Sequence, residues 1–163
     1  MNVGVGEIVW NDVARLSLDK AEEFEIYNLA EKDIILSLDR PIINAGLKVT
    51  LVSKEDLPCL LLQRILKISP IKANKDYVYK WFNSQLFISS INPGRSIGIP
   101  HISHNEVSKV IIPLPPLAEQ ERIVAKLEKL MKFCDELEAN IRQGIANSDQ
   151  LLQTALKEAL EPK

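Results

Sequence analysis

The chain has 163 residues, of which 46% are hydrophobic and 26% charged, and its formal net charge at pH 7 is −2. That composition is typical of a globular protein with one domain and an appendage, and it argues against a disordered or fibrous chain. No stretch contains the roughly 18 consecutive apolar residues of a membrane span, and the first residues lack a signal peptide's basic flank and apolar core, so we expect a cytoplasmic location. Cys59 and Cys134 lie in apolar patterns without CxxC spacing, which predicts reduced cysteines.

Charge is unevenly distributed along the chain. Residues 1–39 hold three basic and nine acidic side chains, whereas residues 40–112 hold ten basic and four acidic ones. Residues 113–163 return to a slight acidic excess, with seven basic and nine acidic side chains. A positive middle segment allows a local phosphate-facing surface on a protein of acidic total charge. The alternative is that these lysines and arginines only solvate strand edges.

The first half of the chain predicts short strands. Residues 34–38 predict a buried strand, and residues 42–43 and 47–52 predict two more on either side of a turn that contains Gly46. The apolar residues 57–68 predict a further strand, mostly buried.

The next segments change character. Residues 75–89 carry aromatic side chains at helical spacing, and either Asn74 or Asp76 is suited to cap that helix. Residues 91–104 contain two glycines and two prolines and predict a loop, after which residues 107–112 predict a last strand. The predicted fold class is therefore α+β, with a head of short strands and a packed helix followed by a long C-terminal helix.

The most regular pattern begins at the proline-rich corner of residues 113–116. Proline fixes its own φ and keeps its predecessor extended, so the corner should be non-helical and Pro116 should stand in the first turn of a helix. If that helix runs unbroken over residues 117–160, it is about 66 Å long. Gly144 falls on its apolar face, where we expect a weakened joint or bend.

This helix carries apolar residues at alternating spacings of four and three, the pattern of a coiled-coil seam. The predicted helix-pairing interface comprises Ile123, Leu127, Leu130, Cys134, Leu137 and Ile141. The alternative is an ordinary core helix folded back on its own domain.

Recognisable catalytic motifs are missing. The sequence has no GxGxxG, Walker loop, GxSxG or HExxH. His101 and His104 are three residues apart, but they lie in a predicted loop with no obvious third ligand for a metal. We therefore expect no catalytic residue, no metal site and no cofactor.

One segment resembles a known family. Residues 111–124, IIPLPPLAEQERIV, resemble the junction between a target recognition domain and the conserved helix in specificity subunits of type I restriction–modification systems. Upstream, residues 32–41 and 46–48 resemble a recurring strand and loop of that recognition domain, and residues 62–65 resemble the family's "NQR" strand, with Leu62 in place of asparagine. Residues 98–104 correspond to its glycine-containing loop. The resemblance covers about residues 27–142.

The resemblance implies a division of the chain and a set of partners. Residues 1–114 would be part of a DNA target recognition domain, and residues 115–163 the conserved spacer and dimerisation helix. A complete subunit of the family carries two recognition domains and two such helices, which pair antiparallel and set the spacing of a split DNA target. We therefore expect a fragment or half-subunit whose helix pairs with a second copy or with the missing half.

The resemblance also implies a non-catalytic role in defence. The specificity subunit reads double-stranded DNA, methyltransferase subunits dock against it, and the restriction subunit joins through them. Methyl transfer and cleavage belong to those partners.

Base and phosphate contacts require basic and polar side chains on loops. The predicted DNA-binding residues are Arg40, Arg64, Lys72, Lys75, Arg95, Ser96 and His101. Arg95 is the preferred choice because Pro93 and Gly94 present it on a polar loop, although simple solvation of that loop is the alternative. For Arg64 the alternative is that it satisfies a buried backbone or carboxylate group.

A second class of function is a coiled-coil scaffold or interaction protein with no DNA-reading role. The acidic total charge favours it. An enzyme in its own right is the third hypothesis, and the sequence offers no catalytic set for it.

Overall fold

A computed structural model describes residues 2–11, 13–91 and 101–160. The chain divides into two compact units, Met1–Glu121 and Arg122–Lys163. The first unit, called the head below, contains every strand found among the described residues, and the described residues of the second, 122–160, are all helical. The division at residues 114 and 115 that the sequence suggests stays a prediction.

The described residues form seven short strands, and these are β1 (Asn2–Val3), β2 (Ile8–Val9), β3 (Ile34–Ser37), β4 (Ile42–Ile43), β5 (Gly46–Leu47), β6 (Val49–Leu51) and β7 (Ile65–Ile68). They are followed by the helices α1 (Lys75–Phe82), α2 (Gln85–Ile91), α3 (His104–Ser108) and α4 (Leu117–Leu160), and two 3-10 helices cover Leu18–Tyr27 and Lys54–Asp56. This composition of short strands, packed helices and a long last helix confirms the predicted α+β class.

The central sheet has the order β6-β3-β7, with both pairs antiparallel. Its middle strand β3 is buried on both faces, since Ile34, Ile35 and Leu36 are all fully buried. Side chains alternate across a strand, so Ile35 faces one layer while its two neighbours face the other. The predicted strand at residues 34–38 is therefore confirmed, and so is the turn at Gly46, whose φ is +129°.

The layer beneath Ile35 is an apolar cluster. Its buried members are Val3, Leu29, Ile35, Val52 and Cys59. Burial raises the pKa of the Cys59 thiol, which keeps it protonated and unreactive at neutral pH, in line with the prediction of a reduced core cysteine.

The predicted aromatic helix is present but divided into α1 and α2. The Asn74 side chain accepts a hydrogen bond from the Tyr77 N–H (2.9 Å), so Asn74 is the N-cap. The chain turns after Phe82, and Phe82 meets Phe87 of α2 edge to face with ring centroids 4.5 Å apart. Both rings are buried and belong to the hydrophobic core.

The predicted strand at residues 57–68 is wrong over most of its length. Only its last four residues form β7, because Arg64 immediately before it has a left-handed φ of 62°. The preceding residues pair instead with the chain before β3, through Leu29 N–H to the Cys59 carbonyl (3.1 Å) and Leu61 N–H to the Tyr27 carbonyl (2.8 Å).

The predicted strand at residues 107–112 is also wrong. The short helix α3 begins before this segment, at His104, and ends in it at Ser108, and the chain beyond it is irregular up to Pro116. A capping box explains the difference: Ser103 Oγ accepts from the Glu106 N–H (3.2 Å), while the Glu106 carboxylate accepts from the Ser103 N–H (2.7 Å). These local bonds outweigh the β propensity of the valines and isoleucines that follow.

Helix α4 begins directly after the proline corner, as predicted, and the N–H groups of Glu119 and Gln120 in its first turn donate to the Pro116 carbonyl. The helix continues without interruption across Gly144, so the expected weakened joint is not found. Ser148 Oγ instead donates to the Gly144 carbonyl (2.9 Å) within the regular helix.

Candidate functional site

Three segments that are distant in sequence meet where β3 ends. Leu38 N–H donates to the Arg64 carbonyl (2.8 Å), and Ile102 N–H donates to the Leu38 carbonyl (2.9 Å). An isolated antiparallel bridge joins Asp39 to His101, and Ser37 Oγ donates to the Asp39 carbonyl (2.9 Å). The backbone around Asp39 is thus held from both sides by backbone hydrogen bonds and by the Ser37 hydroxyl.

The Asp39 carboxylate then joins the side chains of the other two segments. Arg64 Nη1 donates to both carboxylate oxygens at 2.9 Å, and His101 Nδ1 lies 2.6 Å from Oδ1. Because an ionised carboxylate can only accept, Nδ1 carries the proton in this contact. The Arg64 guanidinium lowers the pKa of Asp39, with a further contribution from His101, so the carboxylate is ionised at neutral pH.

Both arginines at this edge occupy the left-handed region of φ. Arg40 has φ 42° and Arg64 has φ 62°, a conformation that costs an ordinary L-residue about 1–2 kcal/mol. Arg40 lies in the turn between β3 and β4 and is exposed. Lys32, at the other end of β3, has a similar φ of 63°, so the strain does not by itself distinguish this edge. We call Asp39, Arg40, Arg64 and His101 the Asp39 edge.

The Asp39 edge unites three of the seven residues predicted from sequence to bind DNA: Arg40, Arg64 and His101. Lys75 belongs to the opposite end of β3, and Lys72 is exposed in the segment between β7 and α1. Arg95 and Ser96, which include the preferred sequence candidate, lie outside the described residues. The assignment of all seven to DNA contact remains a prediction.

The opposite end of β3 is organised by a buried carboxylate. Asp33 accepts from the Ala30 N–H and from Ser69 Oγ, both at 2.9 Å, and Lys67 Nζ lies 2.9 Å from it. Lys75 Nζ is 3.9 Å away and also donates to the Glu31 carbonyl. Burial alone would raise the pKa of Asp33, but the hydrogen bond from Ala30 and the bonds from Lys67 and Ser69 outweigh it and lower that pKa. We call these residues the Asp33 end.

Two residues that organise the head, Asp39 and Gln120, were not predicted from the sequence. Asp39 carried no signal, since it is one acid among nine in the acidic first segment. Gln120, in the PLAEQ block, is buried: its Oε1 accepts from the Asn74 N–H (2.9 Å) and its Nε2 donates to the Pro115 carbonyl (2.7 Å). Tyr77 Oη donates to the Pro113 carbonyl (2.7 Å) beside it. Gln120 therefore ties the first turn of α4 to the cap of α1.

The second unit presents an apolar stripe. Every described residue of α4 from 125 to 160 is exposed, including the large apolar ones. On a regular helix each residue turns by about 100°, so Ile145, Leu152 and Leu156 lie about 40°, 20° and 60° from the midline set by residues 123–141. A strict heptad would instead reach Leu151, about 80° off that line. The stripe thus continues past Gly144 by 11-residue spacing, which suits a partner helix with little left-handed supercoil.

The described ranges contain no group of three or more histidine, cysteine or acidic side chains arranged to hold a metal ion. In the same ranges, no helix has both the length and the hydropathy required to cross a membrane.

Comparison with known proteins assigns most of the chain to one family. A family model described as "Type I restriction modification DNA specificity domain" matches residues 4–147. The specificity subunit of type I restriction enzyme EcoAI from Escherichia coli is 44% identical over 143 residues, which cover 86% of this chain and 24% of that protein. The MjaVIII specificity subunit from Methanocaldococcus jannaschii is 30% identical over 133 residues, covering 79% of this chain and 31% of that protein.

Solved structures show the same similarity. The HsdS subunit from Thermoanaerobacter tengcongensis aligns with a TM-score of 0.67 and 27% identity, over 80% of this chain and 34% of that one. A chain from a structural study of type I R-M complex assembly and conformational transition aligns with a TM-score of 0.68 and 26% identity, over 82% of this chain and 35% of that one. The chain spans about a quarter to a third of the relatives it matches. It belongs to the family of type I restriction modification DNA specificity domains.

Proposed function

We propose that this chain is a DNA-reading part of a type I restriction–modification specificity subunit, and that its head contacts double-stranded DNA through the Asp39 edge. One observation carries the proposal: Arg64 and His101, predicted from separate stretches of the sequence, both bind the Asp39 carboxylate, and the exposed Arg40 is its neighbour in the chain. Membership of the family supports DNA as the target, and the geometry of the Asp39 edge supports this edge as the surface that contacts it.

The side chains of this edge suit two different tasks. Arg40 is exposed and has no ion pair with any described residue, so it offers its full charge to a phosphate. Arg64 and His101 are held by Asp39, and held side chains suit base readout, because fixing the donors in advance reduces the entropy lost on binding. The Asp33 end offers neither, since Lys67 and Lys75 are drawn towards a buried acid.

The chain itself would perform no chemistry. Methyl transfer and cleavage would be carried out by methyltransferase subunits that dock against it and by a restriction subunit that joins through them. The site of action would be the cytoplasm, where the cell's DNA lies.

Helix α4 would supply the spacing function. Its stripe of exposed apolar residues suits antiparallel pairing with a like helix, either in a second copy of this chain or in the other part of a full-length subunit. The spacing of Leu127, Leu130, Leu137 and Ile141 on one exposed face of the helix supports this use.

The experiment that tests the proposal is co-elution of this chain with the methyltransferase subunit encoded beside its gene, followed by light scattering. A complex of defined stoichiometry that retards duplex DNA is the expected result. Two copies of this chain per complex would indicate a half-subunit, and one copy a fragment. A folded chain that forms neither the complex nor a DNA-bound species would favour the scaffold hypothesis.

The pairing of α4 is tested by its oligomeric state. Changing Leu127, Leu130 and Leu137 together to glutamine should convert the self-associated chain to monomer on a sizing column with light scattering. The matched control changes Lys132, Glu136 and Ala139, on the opposite side of the helix, to glutamine and should leave association intact. A dimer that persisted in the first variant would place the interface elsewhere.

A further inference from the structure

The guanidinium of Arg64 is engaged on one side only. Asp39 takes its bonds from Nη1 alone. In a planar guanidinium Nη1 lies on the side of Cδ, so the Nε–H and one Nη2–H remain parallel on the other edge as a two-donor fork. No described residue accepts a hydrogen bond from either atom, and the Arg64 side chain is 64% exposed.

That fork is held in place from three directions. The Arg64 carbonyl accepts from Leu38 N–H, its φ is fixed at 62° in a turn, and the carboxylate that holds Nη1 is itself bound by His101. A long side chain normally loses rotamer freedom when it binds a target, and here much of that loss has already occurred on folding. The arrangement is therefore pre-organised for a planar partner with two acceptors.

We propose that Arg64 reads a guanine in the major groove and that Asp39 is the positioning residue that presents its fork. This inference rests on the proposed function and specifies the base contact within it. Guanine is the base that offers two adjacent acceptors, O6 and N7, in that groove. Adenine pairs one acceptor with a donor, cytosine presents a donor, and thymine presents one acceptor beside a methyl group.

A phosphate also has two acceptor oxygens, but the charge of the site disfavours it. Asp39 neutralises Arg64 and would repel a phosphate placed beside it, whereas the directional hydrogen bonds of the fork survive neutralisation. Arg40, whose charge is not opposed in this way by any described residue, is the better phosphate ligand of the same edge.

The test is selection of sequences from a randomised duplex pool by the full chain, compared for the wild type, Arg64→Lys and Asp39→Asn. The matched control is Asp76→Asn, which removes a partly exposed carboxylate from an ion pair with Lys32 elsewhere in the head. Tryptophan fluorescence of each variant verifies that the head is folded, since Trp10 and Trp81 both lie in it.

The wild type and the Asp76→Asn control should favour guanine at one position. In Arg64→Lys, which keeps the charge but replaces the fixed planar fork by a flexible ammonium, discrimination there should fall by about fivefold or more while other positions are kept. Asp39→Asn should relax the same position and no other. Replacing that guanine by 7-deazaguanine should weaken binding of the wild type more than that of Arg64→Lys.

Two other outcomes would overturn the inference for different reasons. A guanine preference retained in both variants, or a uniform loss of affinity across all sequences, would show that Arg64 contacts phosphate or no DNA at all, while the proposed function stands. A wild-type chain that selects no sequence and binds no duplex would overturn the proposed function, and the guanine contact with it.

Discussion

Strand β3 has an aspartate at each end, and each aspartate is surrounded by basic residues, but the two ends are built differently. Asp33 is 3% exposed and is satisfied by a backbone N–H, a hydroxyl and two lysines. Asp39 is partly exposed, and the arginine it binds keeps a free edge directed away from the contact. Both carboxyls have a lowered pKa.

The difference teaches that a basic cluster around an acid does not by itself identify a binding surface. At the Asp33 end the cations are used to satisfy a buried charge, so their role is structural. At the Asp39 edge the acid is used to orient a cation that still has donors available. Burial and the remaining hydrogen-bonding capacity distinguish the two, and lowered pKa values do not.

The sharpest test of this contrast is a pair of alanine substitutions. Asp33→Ala should lower the free energy of unfolding by about 2–4 kcal/mol, because the Ala30 N–H and the Lys67 ammonium lose their buried acceptor. Asp39→Ala should change stability little, since its ion pairs are exposed. Urea unfolding followed by tryptophan fluorescence measures both, and equal effects would remove the distinction between the two ends.

Gln120 extends the comparison to a neutral side chain. Gln120 is buried and its side-chain amide is hydrogen-bonded through both Oε1 and Nε2, which we take as the mark of a structural residue. Gln120→Leu should therefore lower the free energy of unfolding by about 2–3 kcal/mol, because the Asn74 N–H and the Pro115 carbonyl are left without partners. The same fluorescence-monitored urea titration reports it, with Gln143→Leu on the exposed part of α4 as the control. A loss no larger than that of the control would mean that this part of the head has other means of fixing the first turn of α4.

Lowering the pH should remove the contribution that Asp33 makes to the stability of the folded chain. Its folded pKa lies below the unfolded value of about 3.9, so the stabilisation is present above that pH and is lost as the pH falls through the folded pKa. The stability gap between the wild type and Asp33→Asn should therefore be full at neutral pH and narrow below about pH 4. Urea titrations of both proteins at a series of pH values test this, and a gap independent of pH would contradict it.

The smallest expected effect concerns backbone strain at the Asp39 edge. Glycine adopts a φ of 62° without strain, so Arg64→Gly should leave the stability of the head unchanged or raise it by up to about 1 kcal/mol. Binding to duplex DNA should nevertheless weaken. Opposite changes in unfolding free energy and DNA affinity are the expected pair of results, whereas a destabilised variant would show that Arg64 serves the fold.

The parts of the fold that sequence could predict are those governed by local patterns. The apolar run of β3, the turn at Gly46, the Asn74 cap and the proline corner before α4 each depend on a few neighbouring residues. The strand predicted at residues 107–112 is wrong for the same kind of reason, because the capping box of Ser103 and Glu106 is also a local pattern and starts a helix at His104.

The candidate site could be predicted only in part, because its central residue acts over long distances in sequence. Asp39 is 25 residues from Arg64 and 62 from His101. Residue type suggested Arg64 and His101 as candidates, but only the topology brings both side chains to the Asp39 carboxylate. The same topology places Lys75 near Asp33, at the other end of β3. For the same reason, the 11-residue spacing of the α4 stripe is visible once the helix is known to cross Gly144 unbroken.

The most direct test of the account is amide chemical-shift mapping of the isotope-labelled chain during titration with duplex DNA. We predict that the largest shifts fall on the amides of residues 38–40, 63–64 and 101–102, with little change at residues 31–33 and 67–69. Shifts concentrated at the Asp33 end, with the Asp39 edge unaffected, would contradict the assignment of the DNA-reading surface.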